Sequence, residues 1–253
     1  MLLFNSCELS TAELRHRYNT VKVLDCLQIL IRWRQETRMK HVLVATSNPG
    51  KIRDLVGAAV AHQVRIEMVP CFVSLPGVVE DGLTFDANAR KKAEHYSKYA
   101  EGELVIADDS GLEVDALGGA PGVRSARYAA DEHDAPEHAP NSDDEANNAR
   151  LLRELHDVPD EYRTGRFVCV IAAARNGHTL ATFQGKAEGI LLHAPRGSNG
   201  FGYDPLFYFP EIAKTFAELR AEEKAVYSHR GPAFRAFLAW EDESHEEHPH
   251  TAR

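Results

Sequence analysis

The sequence holds no apolar run approaching the roughly 20 residues that a membrane-spanning helix needs. Cysteine is sparse. Cys7, Cys26, Cys71 and Cys169 are the only four, and no two are spaced as CxxC. That pattern supports neither a disulfide framework nor a zinc site and places the chain in a reducing cytoplasm. Positive charge is also short: 29 Lys and Arg stand against 38 Asp and Glu, a formal net charge of −9. A protein that grips long nucleic acid carries a basic face, so that partner is excluded. A few convergent cations would still serve a small anion. There is no internal repeat, and Met1-Leu2-Leu3-Phe4-Asn5-Ser6-Cys7 lacks the basic stretch and full apolar core of a secretory signal.

What is present is an ordinary globular composition over 253 residues, 43% hydrophobic and 26% charged, enough for one large domain or two small ones. Residues 1–38 are mixed and moderately helical, and are set apart as an N-terminal extension, or a product of start-site choice with Met39 as the true start. The main domain is expected over 39–241, and 242–253 as a disordered acidic tail whose His245, His248 and His250 belong to a frayed end. A strand is predicted over 41–46. Asn48 then caps a helix with Pro49 at its first position. That helix buries Ile52, Leu55, Val56, Ala59 and Val60, an i, i+3, i+4 stripe. A strand follows over 64–69, and a helix opens at Thr84 and runs to about Tyr99.

Strands are predicted over 104–107 and 112–115. The run 131–145, with seven acids and two prolines, is expected as a solvated loop, and Ser142-Asp143-Asp144-Glu145 as the capping box of a helix through Leu155. Residues 166–175 and 178–184 flank Asn176-Gly177, a strong hairpin turn. Thr215 and Glu218 form a further capping box. Ser228 caps a last helix with Phe234, Phe237 and Leu238 inward. Strand–helix alternation followed by a hairpin predicts an α/β fold with a mixed sheet.

Five stretches carry candidate chemistry. Thr46-Ser47-Asn48-Pro49-Gly50-Lys51 leads into a helix whose first amides lack internal partners; those amides and the helix dipole attract phosphate, and Lys51 adds a full charge. It is not a Walker A loop, since Ala45 stands at its first glycine and Ile52 follows the lysine. An ordinary capped helix is the alternative.

Leu104-Val105-Ile106 runs into Ala107-Asp108-Asp109-Ser110-Gly111, expected as an acidic turn at the end of a buried strand. Adjacent carboxylates there are costly unless paired, and they seat a divalent metal; a turn stabilised by its own backbone is the alternative. Glu80-Asp81-Gly82 supplies a further acid. Mg²⁺ keeps waters and uses substrate phosphates, so Glu80 with Asp109 would suffice. One carboxylate then holds the metal and helps deprotonate a water.

Ser198-Asn199-Gly200-Phe201-Gly202-Tyr203-Asp204-Pro205 offers Phe201 as a stacking face for a base, or is simply a flexible turn. Lys224 and Ser228-His229-Arg230 place cations and donors around a helix start, or form a solvated helix end. Metal-binding acids with separated anion-binding groups point to phosphate ester chemistry.

Taken in order, Thr46 to Lys51, Ala107-Asp108-Asp109-Ser110-Gly111-Leu112, Gly118-Gly119-Ala120-Pro121-Gly122, Ser125-Ala126-Arg127-Tyr128, Gly200-Phe201-Gly202-Tyr203-Asp204-Pro205, and Glu222-Glu223-Lys224 with Ser228-His229-Arg230 resemble the inosine/xanthosine triphosphate pyrophosphatase family. The resemblance implies hydrolysis of ITP, dITP and XTP to the monophosphate and pyrophosphate with Mg²⁺. It also implies a homodimer, and an elongated α/β fold with the nucleotide in a cleft between two lobes. Residue by residue, it puts the phosphate-binding turn on Thr46, Ser47, Asn48, Pro49, Gly50 and Lys51, with Lys51 also catalytic. The general base and metal ligand fall on Asp109, with Asp108 and Glu80 as further metal ligands and Ser110 on substrate. The base-binding loop falls on Phe201, Gly202, Tyr203 and Asp204, and the remaining substrate contacts on Lys224, His229 and Arg230.

Val79 stands where many relatives carry a first acid, and Ala87-Asn88-Ala89 where they carry Glu-Asn-Ala. Hypoxanthine and xanthine present an acceptor at position 6, so selectivity is expected from donors such as His229, Arg230 or backbone amides. A pyrophosphatase for modified pyrimidine nucleotides and a non-catalytic nucleotide-binding module are the competing assignments.

Overall fold

A computed structural model describes residues 40–60, 62, 64–130 and 143–246, the side chains of 60 and 244–246 excepted. The expectations for 1–38, for 131–142 with Ser142, and for the chain after 246 lie outside these residues. The elements are β1 (Lys40–Val44), α1 (Pro49–Val60), β2 (Val64–Met68), α2 (Phe85–Ser97), β3 (Val105–Val114), α3 (Asp144–Glu154), β4 (Thr164–Arg175), β5 (His178–Leu191), β6 (Phe207–Phe209), β7 (Lys214–Thr215), α4 (Ala221–Tyr227) and α5 (Arg230–Glu246). All seven strands join one sheet in the order β2-β1-β3-β4-β5-β6-β7. β1 runs parallel to β3, and the pairs from β3 onward to β7 are antiparallel. The fold is therefore α/β with a mixed sheet, as the alternation implied. No described helix is long and apolar enough to cross a membrane.

Side chains alternate across a strand, so β3 and β4 feed two separate cores. Ile106, Cys169, Ile171 and Ala173 point to one face and pack with Leu55 of α1 and Phe234 and Phe237 of α5. Val105, Ala107, Val168 and Val170 point to the other, against Phe85, Ala89 and Ala93 of α2. Asn176 and Gly177 take φ of 51° and 82°, the left-handed pair a tight hairpin requires, and join β4 to β5. Thr84 caps α2, accepting from the Ala87 amide at 3.1 Å. Asp143 caps α3, accepting from the Ala146 amide at 2.7 Å. The Thr215 amide donates to Glu218 at 2.7 Å, as its capping box required.

Three local expectations need correction. The predicted acidic turn is not a turn: Ala107 to Gly111 lies inside β3, with Asp108 paired to Ile171 and Asp109 to Val170 across the ladder with β4. The two strands predicted either side of it are one. On α1 the buried stripe is Leu55, Ala58 and Ala59 with Asp54, while Val56 is exposed; the helix is rotated so that its one inward carboxylate meets cations from α4 and α5. Ser228 does not cap α5 through its side chain, for its buried hydroxyl has no hydrogen-bond partner. α5 itself continues through Glu246, past the boundary at 241.

A third core beyond the cavity gathers Leu112, Leu151, Leu155, Phe207 and Phe216. Arg163 pins it. Only 1% exposed, it donates to three carbonyls, of Leu191 at 2.8 Å, Leu155 at 2.5 Å and Leu192 at 3.0 Å. Its guanidinium thus satisfies the end of α3 and the end of β5 together. Arg163→Met keeps the apolar stem and strands these acceptors, so a loss of about 2–4 kcal/mol is expected in urea unfolding.

Candidate active site

The loop between β1 and α1 is shaped by Asn48. Its side-chain oxygen accepts the amides of Gly50 at 2.8 Å and Lys51 at 3.1 Å, and its own amide donates to the Thr46 hydroxyl at 3.2 Å. Pro49 has no amide hydrogen to offer. The first-turn donors expected to meet a phosphate are thus already engaged by the cap. What the helix end still presents to an anion is its dipole and Lys51. The Lys51 ammonium lies 3.2 Å from an Asp108 carboxylate oxygen and is 16% exposed, leaving it access to a ligand.

Because Asp108 and Asp109 are consecutive residues of a strand, they face opposite sides of the sheet. Asp108 turns to the α1 and α5 side. There it meets Lys51, the Arg230 Nε at 3.2 Å and the Ser110 hydroxyl at 3.2 Å. Arg230 also reaches Asp54 at 3.0 Å and donates to Ser110 at 2.6 Å. Burial opposes the Asp108 charge, but Lys51, Arg230 and Lys92 outweigh it and hold the carboxyl well below the ordinary aspartate range.

Asp109 turns to the α2 side, where Lys92 donates to it at 3.0 Å and Asn88 at 3.2 Å. The same Lys92 ammonium donates to Glu80 at 2.7 Å. One cation therefore serves two carboxylates. Burial pushes the Asp109 carboxyl up, the Glu80 charge adds to this, and Lys92 and Lys51 only partly offset it. The result is a carboxylate that takes a proton more readily than an exposed aspartate.

The loop 200–204 is anchored from below. Asp204 is buried and accepts from Lys224 at 2.6 Å and from the Phe201 amide at 2.8 Å. Tyr203 is buried too, its hydroxyl donating to the Ser125 carbonyl at 2.8 Å. α3 grips Gly202 from both sides, through Asp144 at 2.6 Å and Asn148 at 2.9 Å. Phe201 then lies against Gly50, with the Lys224 ammonium 4.4 Å from its ring centre. The His229 ring stacks on Phe167 at 4.8 Å and 11°. Burial, with Arg230 and Lys224 nearby, drives His229 well below its usual range, so it is neutral.

These groups enclose one cavity of about 500 Å³, within the range of small-ligand sites. Of the residues predicted from sequence, Thr46, Ser47, Asn48, Lys51, Glu80, Asp108, Asp109, Ser110, Phe201, Gly202, Tyr203, Asp204, His229 and Arg230 line it. Pro49, Gly50 and Lys224 stand behind the wall. Sequence reasoning missed Asp54, Asn88, Lys92 and Phe167. A signal existed for two of them. Asn88 and Lys92 sit four apart within the apolar stripe Phe85, Ala89, Ala93, Tyr96 of α2, where a buried lysine demands a carboxylate partner.

Two outcomes follow. In a helix Gly→Ala ordinarily stabilises by about 1 kcal/mol, but a Cβ at Gly50 would collide with the Phe201 ring. Gly50→Ala is expected to displace the ring and weaken ligand binding in this cavity about tenfold, with the melting temperature held or raised. Asp108 has a depressed pKa, so folding stabilises its charged form. That contribution is complete above the ordinary value of 3.8 and is lost as pH falls through and below it. Asp108→Asn should be less stable than the parent at neutral pH, and the gap should narrow below that value in urea titrations.

Residues 42–240 match the model of the Ham1 family. The dITP/XTP pyrophosphatase of Acidobacterium capsulatum is 50% identical over 196 residues, covering 78% of this chain and 95% of that one. That of Geobacillus kaustophilus is 47% identical over 195 residues, 77% of this chain and 91% of that one. Among solved structures, the Ham1 protein of Staphylococcus aureus aligns with a TM-score of 0.66 at 37% identity, covering 81% of this chain and all (100%) of that one. A Ham1 protein from Coxiella burnetii aligns at 0.67 and 36%, with the same coverage, 81% and 100%. Motif order, sheet and cavity agree with these likenesses, and the chain belongs to the Ham1 family.

Proposed function

We propose that this chain hydrolyses aberrant purine nucleoside triphosphates, ITP, dITP and XTP, to the nucleoside monophosphate and pyrophosphate. The observation that carries this is a single cavity holding a buried, proton-accepting Asp109 and the Lys51 helix end together with an aromatic loop at Phe201. The relatives named as dITP/XTP pyrophosphatases support it across most of the chain. The same proposal takes a homodimer in the cytoplasm, as the family resemblance implies.

The donor set suits Mg²⁺. Glu80 and Asp109 converge on one ammonium at 2.7 and 3.0 Å, so two carboxylates already face a single cation. Mg²⁺ is held by one or two carboxylates with waters and substrate phosphates. Asp108 faces the other side of the sheet, held by Lys51 and Arg230, and we leave it out of the set. Bound there, the ion would offset phosphate charge and make a nearby water more acidic.

In the reaction, water adds to the α-phosphorus and gives its proton to Asp109. The bond to the bridging oxygen breaks, and the electron pair leaves with pyrophosphate. Lys92 and Asn88 fix the Asp109 carboxylate so that it need not reorient, and Lys51 neutralises phosphate charge. At the base, three of the five Arg230 donors are already used by Asp54, Asp108 and Ser110. His229, whose Nδ1 is buried without a partner, and the remaining Arg230 N–H groups are left to meet the 6-oxo group. Adenine presents a donor there and would leave these groups unpaired.

Pyrophosphate release from a panel of ITP, XTP, dITP, GTP, ATP and a modified UTP, with Mg²⁺, tests this. ITP and XTP should exceed ATP by about 100-fold or more in kcat/KM; equal values would remove the base assignment. Asp109→Asn should lose about 10²–10⁴-fold in kcat with the fold intact. Near-parental turnover in that variant would refute Asp109 as the base.

A further inference from the structure

Four cationic side chains that are charged at neutral pH line the cavity: Lys51, Lys92, Arg127 and Arg230. Three are committed to carboxylates. Lys51 pairs with Asp108, Lys92 with Glu80 and Asp109, and Arg230 with Asp54 and Asp108. Arg127 is not. It ends the short 3-10 stretch Gly122–Arg127, where one terminal nitrogen donates to the Glu80 main-chain carbonyl at 3.2 Å. Its Nε is buried with no hydrogen-bond partner, and among the described residues it makes no ion pair.

A protein does not ordinarily leave a guanidinium half-buried with most of its five donors idle. The planar fork matches phosphate oxygens two at a time. Its position is also specific: the carbonyl that holds it belongs to Glu80, whose carboxylate shares Lys92 with Asp109. We infer that Arg127 is a further catalytic residue of the reaction proposed above, gripping the two outer phosphates and neutralising pyrophosphate as it departs. This rests on that assignment of function. Lys51 and Lys92 have their charge largely compensated by the protein; Arg127 brings the cationic charge that the cavity reserves for its ligand. As the bond to the bridging oxygen breaks, charge develops on the leaving group, and a donor already in place there lowers the barrier.

The test compares Arg127→Met and Arg127→Lys with the parent enzyme, with Mg²⁺ present. It measures pyrophosphate release from ITP and the inhibition constants of the two products, pyrophosphate and IMP. Arg127→Met should lose about 10²–10³-fold in kcat/KM. Its pyrophosphate constant should weaken about tenfold or more, while the IMP constant stays within about twofold. Arg127→Lys should recover part of the loss, because it restores charge without the fork.

A pyrophosphate constant unchanged in both variants would overturn the inference; Arg127 would then only prop the Glu80 segment. Equal weakening of both products would overturn it as well. If Arg127→Met does not fold, Arg127→Lys and Arg127→Gln carry the same comparison. A parent enzyme that releases no pyrophosphate from ITP would instead refute the function itself.

Discussion

Two consecutive carboxylates in the middle of a central strand are the constraint that organises this molecule. Each ion buried in a sheet loses several kcal/mol of solvation unless cations and donors replace the water. The twofold alternation of a strand sends Asp108 and Asp109 to opposite faces, so each makes its direct ion pairs with different cations. Asp108 draws Lys51 from α1 and Arg230 from α5. Asp109 draws Lys92 from α2. Three helices are thereby fixed in position around one strand. The same division produces chemical asymmetry. Asp108, held by three surrounding charges, stays ionised, whereas Asp109 shares one ammonium with Glu80 and is pushed toward accepting a proton. A pair of identical side chains thus acquires opposite proton affinities, one lowered and one raised.

How much of this was legible in the sequence depends on how local the cause is. Asn48-Pro49 announced the start of α1, Thr84 the start of α2 and Asn176-Gly177 the hairpin, because each acts on amides or φ angles within a few residues. The strand through Ala107-Asp108-Asp109-Ser110-Gly111 was not legible. Asp, Ser and Gly are turn formers, and their strand conformation is imposed by partners 17 and 122 residues away in sequence, Lys92 and Arg230. The predicted residues that line the cavity came from ordered motifs. Of the supporting residues, Asp54 and Lys92 belong to no short motif, and the roles of these two and of Asn88 exist only once the helices dock. Val56 and Ser228 were misplaced for the same reason: a rotation of about one position on α1, and a helix start whose cap is backbone only.

The aromatic end of the cavity obeys a different logic from the charged end. Charges there are spent inward. Asp204 and Lys224 form a buried pair whose task is to hold the Phe201 amide, and Arg230 is bound by Asp54, Asp108 and Ser110. What the cavity sees is aromatic: Phe201 against Gly50, and the neutral His229 stacked on Phe167. A flat, uncharged ring buried against such rigid aromatics would avoid the desolvation that a charged wall incurs. The anchors from α3 to Gly202 make the loop rigid before any ligand arrives, so little conformational entropy remains to be lost on binding.

The charges around the cavity largely cancel one another before a ligand arrives. Lys51, Lys92, Arg127, Lys224 and Arg230 stand against Asp54, Glu80, Asp108, Asp109 and Asp204, a balanced set around the cavity. A triphosphate adds several negative charges to a balanced site. Each uncompensated pair of like charges near 4 Å costs about 4 kcal/mol at the effective dielectric of a protein surface. Arg127 offsets one such charge. The remainder demands added positive charge beside the phosphates. Glu80 and Asp109, two carboxylates with one ammonium between them, are where the protein alone is locally negative. The alternation that splits Asp108 from Asp109 leaves Asp109 and the neighbouring Glu80 on the α2 side with the Lys92 ammonium between them, and the ion proposed above would add there the positive charge that a bound phosphate calls for.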